Sequence, residues 1–295
     1  MSAATPAPPA EAPLMVDGAM LTDPGRVRPA NEDRVAYAAR RSPQGTFADA
    51  LAVVSDGMGG HAAGEVASAI AVEVVMRGFF AGEGPAAARL LACVHQAHAA
   101  IREAARENPA YHGMGATLTA LAFQDNRAFL VHVGDSRAYL LRDGALTQIS
   151  DDHTYVAKLV RDGLISPAEA KTHPDSHGIL QAVGSPRPIT PTSDPDGVPL
   201  KAGDRFILCS DGLTNMVEDD HIRGICQHLP PQAACEALIR DANRAGGEDN
   251  ISVGVFTVGT APPALPQGAT RRLPAFDVLD ARQKESAACP PGEPQ

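Results

Sequence analysis

Apolar positions recur along this chain with two different periods. Val66, Ile70 and Val74 stand at i, i+4 and i+8 within residues 64–80, and Leu90, Val94, Ala97 and Ile101 repeat that spacing within residues 86–107. Both stretches predict amphipathic helices. After Pro109 the texture changes to alternating or β-branched runs over residues 116–123, 128–133 and 138–141, separated by Asp125-Asn126 and Gly134-Asp135-Ser136. Arg142-Asp143-Gly144-Ala145 predicts a tight hairpin turn. Residues 153–162 then predict a helix, and Ser166-Pro167-Ala168-Glu169 supplies an N-cap, a proline at N1 and an acid at N3 for a short one. The proline-dense residues 186–199 predict loop, 204–210 a strand, 218–228 and 232–244 helices, and 251–258 a closing strand. Strands and helices come in blocks instead of strict alternation, which predicts an α+β layered body with largely antiparallel sheets.

The ends read differently. Residues 1–15 are Ala/Pro-rich and residues 260–295 shift to a proline-containing tail of mixed charge; both are expected to be disordered, because such segments bury too little apolar surface to offset their ordering entropy. One domain is expected over residues 16–259, and a small apolar island at Leu273 to Leu279 is expected to stay solvated with the tail. Of 295 residues 44% are hydrophobic and 20% charged, an ordinary globular balance, and the formal net charge is −10. That sign argues against nucleic acid or an anionic membrane as principal partner. Five cysteines without a C-x-x-C pair indicate neither a disulfide framework nor a zinc site, and Cys93 and Cys209 sit in apolar patterns as core thiols. No run reaches the roughly 20 apolar residues that span a bilayer, and the N-terminus lacks a secretory pattern. A cytoplasmic location without membrane insertion is expected.

Two apolar runs end alike: Leu51-Ala52-Val53-Val54-Ser55-Asp56-Gly57 and Phe206-Ile207-Leu208-Cys209-Ser210-Asp211-Gly212. Each reads as a buried strand that delivers a carboxylate, then turns on a glycine. Glu248-Asp249-Asn250 stands just before the closing strand. Unpaired acids at strand ends cost solvation; gathered together they make a site for a hard cation. Gly57, Gly59 and Ala62 formally match G-x-G-x-x-A, but Asp56 before the first glycine would repel a pyrophosphate and no acid follows about 20 residues on. The glycines are better explained as letting backbone carbonyls approach a cation held by Asp56. In Arg28-Pro29-Ala30-Asn31-Glu32-Asp33, strand geometry would put Glu32 and Asp33 on opposite faces and Arg28 on the side of Glu32; a solvated turn is the plainer alternative. Asp135 ends a further apolar strand, either as a turn cap or as another ligand. An oxygen-only set selects Mg²⁺ or Mn²⁺, and two such ions about 4 Å apart can activate a water and clamp a phosphoryl oxygen.

Six motifs in order carry a specific resemblance: R-x-x-N-E-D at 28–33, D-G-M-G-G-H-x-x-G-E at 56–65, G-x-T at 115–117, G-D-S-R at 134–137, S-D-G-L-T at 210–214 and G-x-D-N at 247–250. Over residues 20–258 the chain resembles the PP2C, or PPM, metal-dependent protein serine/threonine phosphatases, in particular their bacterial branch. The resemblance implies a four-layer α-β-β-α sandwich with two central antiparallel sheets and a metal centre at one end. It implies that Asp56 bridges two Mn²⁺ or Mg²⁺ ions, that Gly57 lends its carbonyl oxygen, that Asp211 and Asp249 complete one ion, and that Glu32 reaches the other through water. Asp33 is implied to support them, Arg28 to bind the substrate phosphate, and Asp135 with Asp211 to offer a third, weaker place. Water bridging the ions would then attack phosphorus in line. Residues 151–184 resemble the mobile flap of bacterial members. The implied partners are phosphorylated proteins, including a Ser/Thr kinase and its substrates. Met58 stands where many eukaryotic members carry a histidine acid; His61 could replace it or merely brace the loop. His95 and His98 are expected at the surface or an interface. Two other readings stay open at this point, a hydrolase of small phosphoesters and a non-catalytic binding module on the same fold.

Overall fold

The computed structural model describes residues 14–41, 47–59, 62–176 and 178–260. The elements run β1 (Leu14–Asp23), β2 (Arg34–Arg41), β3 (Phe47–Ser55), β4 (Gly57–Met58), α1 (Ala62–Ala81), α2 (Ala86–Glu107), β5 (Gly115–Ala116), β6 (Leu118–Gln124), β7 (Arg127–Val133), β8 (Arg137–Arg142) and β9 (Ala145–Gln148). They continue with α3 (Tyr155–Arg161), α4 (Pro167–Lys171), β10 (Thr192–Ser193), β11 (Val198–Pro199), β12 (Arg205–Cys209), α5 (Asp211–Thr214), α6 (Asp219–His228), α7 (Pro231–Ala245) and β13 (Ile251–Thr260). One antiparallel sheet has the order β1-β13-β12-β8-β9; the other has β10-β7-β6-β3-β2, with β11 also on β7.

The period of two in each strand builds three cores. In β6, Leu118, Ala120 and Ala122 face α1 and α2, where Val75, Phe79, Leu90, Val94 and Ile101 meet them. The alternate positions Leu121 and Phe123 join Phe206, Leu208, Phe256 and Val258 between the sheets. On the far side of the first sheet, Ile207, Cys209, Val253 and Val255 pack on Leu213, Ile222, Cys226, Cys235 and Leu238 of α5, α6 and α7. The layers are therefore helix, sheet, sheet, helix, as the resemblance implied. Burial of both faces is why these strands read as continuous apolar runs. Phe123 and Phe206 meet edge to face at 5.4 Å, and truncating either to alanine would cost about 3–5 kcal/mol.

Local signals set most joints. Asp125 and Asn126 (φ 50° and 56°) and Asp143 and Gly144 (φ 53° and 78°) make the two tight hairpins between β6 and β7 and between β8 and β9. The Ser166 hydroxyl and the Glu169 carboxylate form a reciprocal capping box on α4. Gly134-Asp135-Ser136 is not a hairpin, since β7 and β8 lie in different sheets. The proline-dense loop contributes β10 and β11 along the edge of β7; Pro199 is tolerated there because an edge strand can lack an N–H. Leu14 and Met15, expected outside the body, pair with Thr260 and Gly259. Cys93, Cys209, Cys226 and Cys235 are buried free thiols. His61, Cys289, the island at 273–279 and the remainder of both ends lie outside the described residues. Among the described residues no helix is long and apolar enough to cross a membrane.

Candidate metal centre

The acids arrive from separate segments at one end of the sandwich. Asp56 follows β3 directly, Asp211 opens α5 just past β12, Asp249 precedes β13, and Asp135 lies between β7 and β8. Residues 31–33 do not form the strand that the sequence suggested; β2 begins at Arg34. Their side chains are aimed by bonds from elsewhere. Asn250 accepts from the Glu32 N–H (2.8 Å) through Oδ1 and donates to the carbonyls of Pro24 (2.9 Å) and Ala30 (2.8 Å). Ser68 donates to the Glu32 carbonyl at 2.5 Å. The Glu32 carboxylate lies against Gly64, where a Cβ would stand 2.0 Å from Oε2. Asp33, by contrast, is fully buried and accepts from the Ser210 hydroxyl at 2.8 Å.

The electrostatics tie these groups into one field. Burial, then the charges of Asp33, Asp211, Asp135 and Asp249, push the half-buried Asp56 carboxyl well above the usual range. Burial raises Asp33 to about 7, against its bonds from Ser252 and Ser210 and with the charges of Asp211 and Asp249. Burial and the charge of Asp211 raise Asp135 to about 7 as well. Arg28 reaches in from the exposed rim, donating to Asp249 at 2.7 Å, and its pKa is raised first by that bond. Glu32 and Asp56 act on the same guanidinium. The seven charged residues expected at the site thus share one neighbourhood. Among the described residues no three His, Cys, Asp or Glu side chains are closed around a point at ligand spacing. Like charges held this near repel unless protonated or bridged by cations.

The residues fit hard divalent cations. Asp33 Oδ1 is buried with no hydrogen-bond partner, which is costly for a carboxylate without a counter-charge. The donors are all oxygens, the set suited to Mg²⁺ or Mn²⁺. At Gly57 a Cβ would stand 2.1 Å from the Gly64 carbonyl oxygen and 2.7 Å from that of Glu32, so only glycine lets three backbone segments converge there.

Several residues had no assigned role at the level of sequence. Thr117 accepts from the Asp56 N–H (2.9 Å) through Oγ1 and donates its own N–H to the Asp56 carbonyl (2.8 Å). Its hydroxyl also meets that of Ser136 at 2.7 Å. The G-x-T, G-D-S-R and G-x-D-N patterns signalled Thr117, Ser136 and Asn250 only as motif members. Arg137 holds Asp152 through Nε and Nη2. His98 is not a surface residue: it is buried and its Nδ1 accepts from the Gly184 N–H at 3.1 Å.

Fold and acid cluster together define an α-β-β-α architecture with an oxygen-rich end suited to hard cations. The family model described as protein phosphatase 2C matches residues 29–240. The chain is 42% identical over 246 residues to the serine/threonine protein phosphatase PstP of Mycobacterium tuberculosis, covering 83% of this chain and 45% of that protein. It is 36% identical over 254 residues to the protein phosphatase PhpP of Streptococcus pneumoniae, covering 81% and 96%. Among solved structures, the catalytic domain of PstP in complex with two manganese ions aligns at a TM-score of 0.72 with 39% identity, over 83% of this chain and 99% of that one. The chain belongs to the protein phosphatase 2C family. It spans about half the length of PstP.

Proposed function

We propose that this chain is a Mn²⁺- or Mg²⁺-dependent phosphatase that removes phosphate from serine and threonine of proteins, opposes a bacterial-type Ser/Thr kinase, and works in the cytoplasm. The observation that carries the reading is the convergence of Asp33, Asp56, Asp135, Asp211 and Asp249 from five segments, close enough that neighbouring carboxylates add to burial in raising the pKa of Asp33, Asp56 and Asp135. Asp56, Asp211, Asp249 and the Gly57 carbonyl would hold the ions, with Glu32 acting through water, Asp33 supporting them and Asp135 offering a third place. Such ions lower the pKa of a coordinated water and neutralise charge developing on a phosphoryl group.

The chain's own residues supply the rest. Arg28, more than half exposed and held at the rim by Asp249, can turn its planar fork to two non-bridging phosphate oxygens. Asp33 and Asp135, titrating near 7, must release protons as the site is loaded. Met58 in β4 carries no proton to give a leaving oxygen, so that proton comes from water or another group. Residues 151–184 act as a flap beside the site. The folded domain is residues 16–259 in this reading, extended by the paired Leu14, Met15 and Thr260.

The test is hydrolysis of a phosphothreonine peptide in EDTA and after adding Mn²⁺ or Mg²⁺, with p-nitrophenyl phosphate alongside. Metal-restored turnover that favours the peptide supports the reading. Turnover confined to the small ester favours a small-phosphoester hydrolase, and no turnover from folded protein favours a binding module.

A further inference from the structure

Two buried histidines that the proposed chemistry does not use close on the backbone of a single residue, Gly134. Gly134, the residue before Asp135, donates its N–H to His153 Nδ1 at 3.2 Å. Its carbonyl accepts from the His153 N–H at 2.7 Å and from His132 Nε2 at 3.0 Å. A carbonyl only accepts, so neutral His132 carries its proton on Nε2 and takes the Thr119 hydroxyl (2.9 Å) on Nδ1. His153 accepts on Nδ1, so its proton sits on Nε2 and is donated to Thr192 Oγ1 of β10 at 2.9 Å. Burial keeps both rings neutral, lowering His153 below the usual range and His132 to about 3. The rings lie 5.0 Å apart.

We propose that His153 and His132 are positioning residues for Asp135, tying the place of that acid to the root of residues 151–184. The same His153 holds that root together, because its carbonyl accepts from the Leu180 N–H at 2.7 Å, while its neighbour Thr154 bridges Ile179. Motion of the segment therefore pulls on Gly134 through both of its peptide groups. Gly134 cannot absorb the pull by a local change of residue type: its φ is +112°, and a Cβ would stand 2.6 Å from Thr117 Cγ2. Thr117 is also the residue that clasps Asp56, so Gly134 is pinned between the flap root and the loop of the principal acid. The inference rests on Asp135 belonging to the proposed metal centre.

Two variants of His153 separate the roles of its nitrogens. His153→Asn keeps an acceptor oxygen near Nδ1, whereas His153→Gln keeps a donor near Nε2 and loses the acceptor. In the metal-free protein, the Gly134 amide should exchange roughly fivefold to tenfold faster in His153→Gln than in the parent, and near the parental rate in His153→Asn. Mn²⁺ titration followed by its electron paramagnetic resonance should show the weakest binding step weakened in the Gln variant alone. Half-maximal activation should then need correspondingly more Mn²⁺, with KM for peptide little changed. Equal loss in both variants, or loss of stability without a change in the Mn²⁺ titration, overturns the proposal. Should both variants fail to fold, Thr192→Val and Thr192→Ser replace them. The valine is expected to speed Gly134 exchange and the serine to preserve it; equal exchange in the two overturns the proposal. Absence of Mn²⁺-dependent turnover in the parent would sink the phosphatase reading while leaving the exchange result to stand on its own.

Discussion

The tripeptide Ser-Asp-Gly ends a buried strand twice, once in each sheet, and folds two ways. After β3 the chain stays extended: Gly57 enters β4 and pairs with Ala116 of β5, and the Ser55 hydroxyl donates to the Thr117 carbonyl at 2.7 Å. After β12 the chain coils at once into α5. There the Ser210 hydroxyl donates to Asp33 Oδ2 and accepts from the Ser252 N–H at 2.9 Å. The first serine braces backbone; the second is wired to a carboxylate. Identical local sequence gives different geometry because the partner differs, Thr117 of β6's lead-in at one turn and the Asp33 segment with β13 at the other. What the two turns share is the product, an aspartate delivered to the same end of the sandwich.

The sharpest way to break this pairing is to neutralise each acid in turn. Asp56→Asn is expected to lower turnover by about a thousandfold or more and Asp211→Asn by about a hundredfold, since removing charge from a preorganised site costs several kcal/mol of barrier. The larger loss is expected at Asp56 because it feels the charges of four other carboxylates. Steady-state kinetics under saturating Mn²⁺ checks both. Equal, small losses would dissolve the comparison and the site assignment with it. Asp56→Asn should also raise the melting temperature in EDTA at pH 8, because it deletes a carboxylate that is costly to ionise.

The field predicts a pH dependence whose sign is fixed. Asp33 and Asp135 titrate near 7 in the folded chain and near 4 when unfolded, so between those values the folded state binds more protons. Stability without metal should therefore fall as pH rises from about 4 through about 7, then level off. Mn²⁺ requires the deprotonated acids, so its stabilising effect should grow across the same window. Thermal melts in EDTA and in Mn²⁺ from pH 5 to 8 test this, and curves that run parallel would overturn it.

The glycines sharpen the comparison further. Gly57→Ala must displace carbonyls of both Gly64 and Glu32, whereas Gly212→Ala meets chiefly the Asn250 carbonyl at 2.0 Å. Each should cost about 1–3 kcal/mol in urea unfolding, with Gly57→Ala the larger because two separate segments cannot both yield. It should also weaken Mn²⁺ binding more, as Glu32 is one of the groups displaced.

How far these features were legible depends on the distance to the partner. Asp56 and Asp211 were readable because each ends an apolar run that must be buried. The edge strand β1 was not, because its inward positions include Gly18, which is acceptable only because the Phe256 ring fills the space a side chain would take. That partner lies far off in sequence. Glu32 and Asp33 were expected on opposite faces of a strand that residues 31–33 do not form; instead Asn250 holds the Glu32 backbone N–H and Ser210 the Asp33 carboxylate. His98 was misplaced at the surface for the same reason, since its partner Gly184 comes 86 residues later. Periodicity reports what must be buried, and says little about which distant backbone group will meet it.

The smallest effects concern the two serines, and they separate the turns most finely. Ser55→Ala removes one neutral hydrogen bond to a carbonyl, so about 1 kcal/mol of stability should be lost. Ser210→Ala leaves both a buried carboxylate oxygen and the Ser252 N–H short of a partner, which costs about 1–3 kcal/mol. The more telling difference is in titration. The Ser210 bond is one of two that hold the Asp33 pKa down against burial, so its loss should move the pH midpoint of Mn²⁺ binding to the alkaline side. Ser55 touches no acid through its hydroxyl, and its removal should leave that midpoint in place. A common midpoint for both variants would mean that Ser210, like Ser55, only braces backbone, and the two turns would then differ in shape alone.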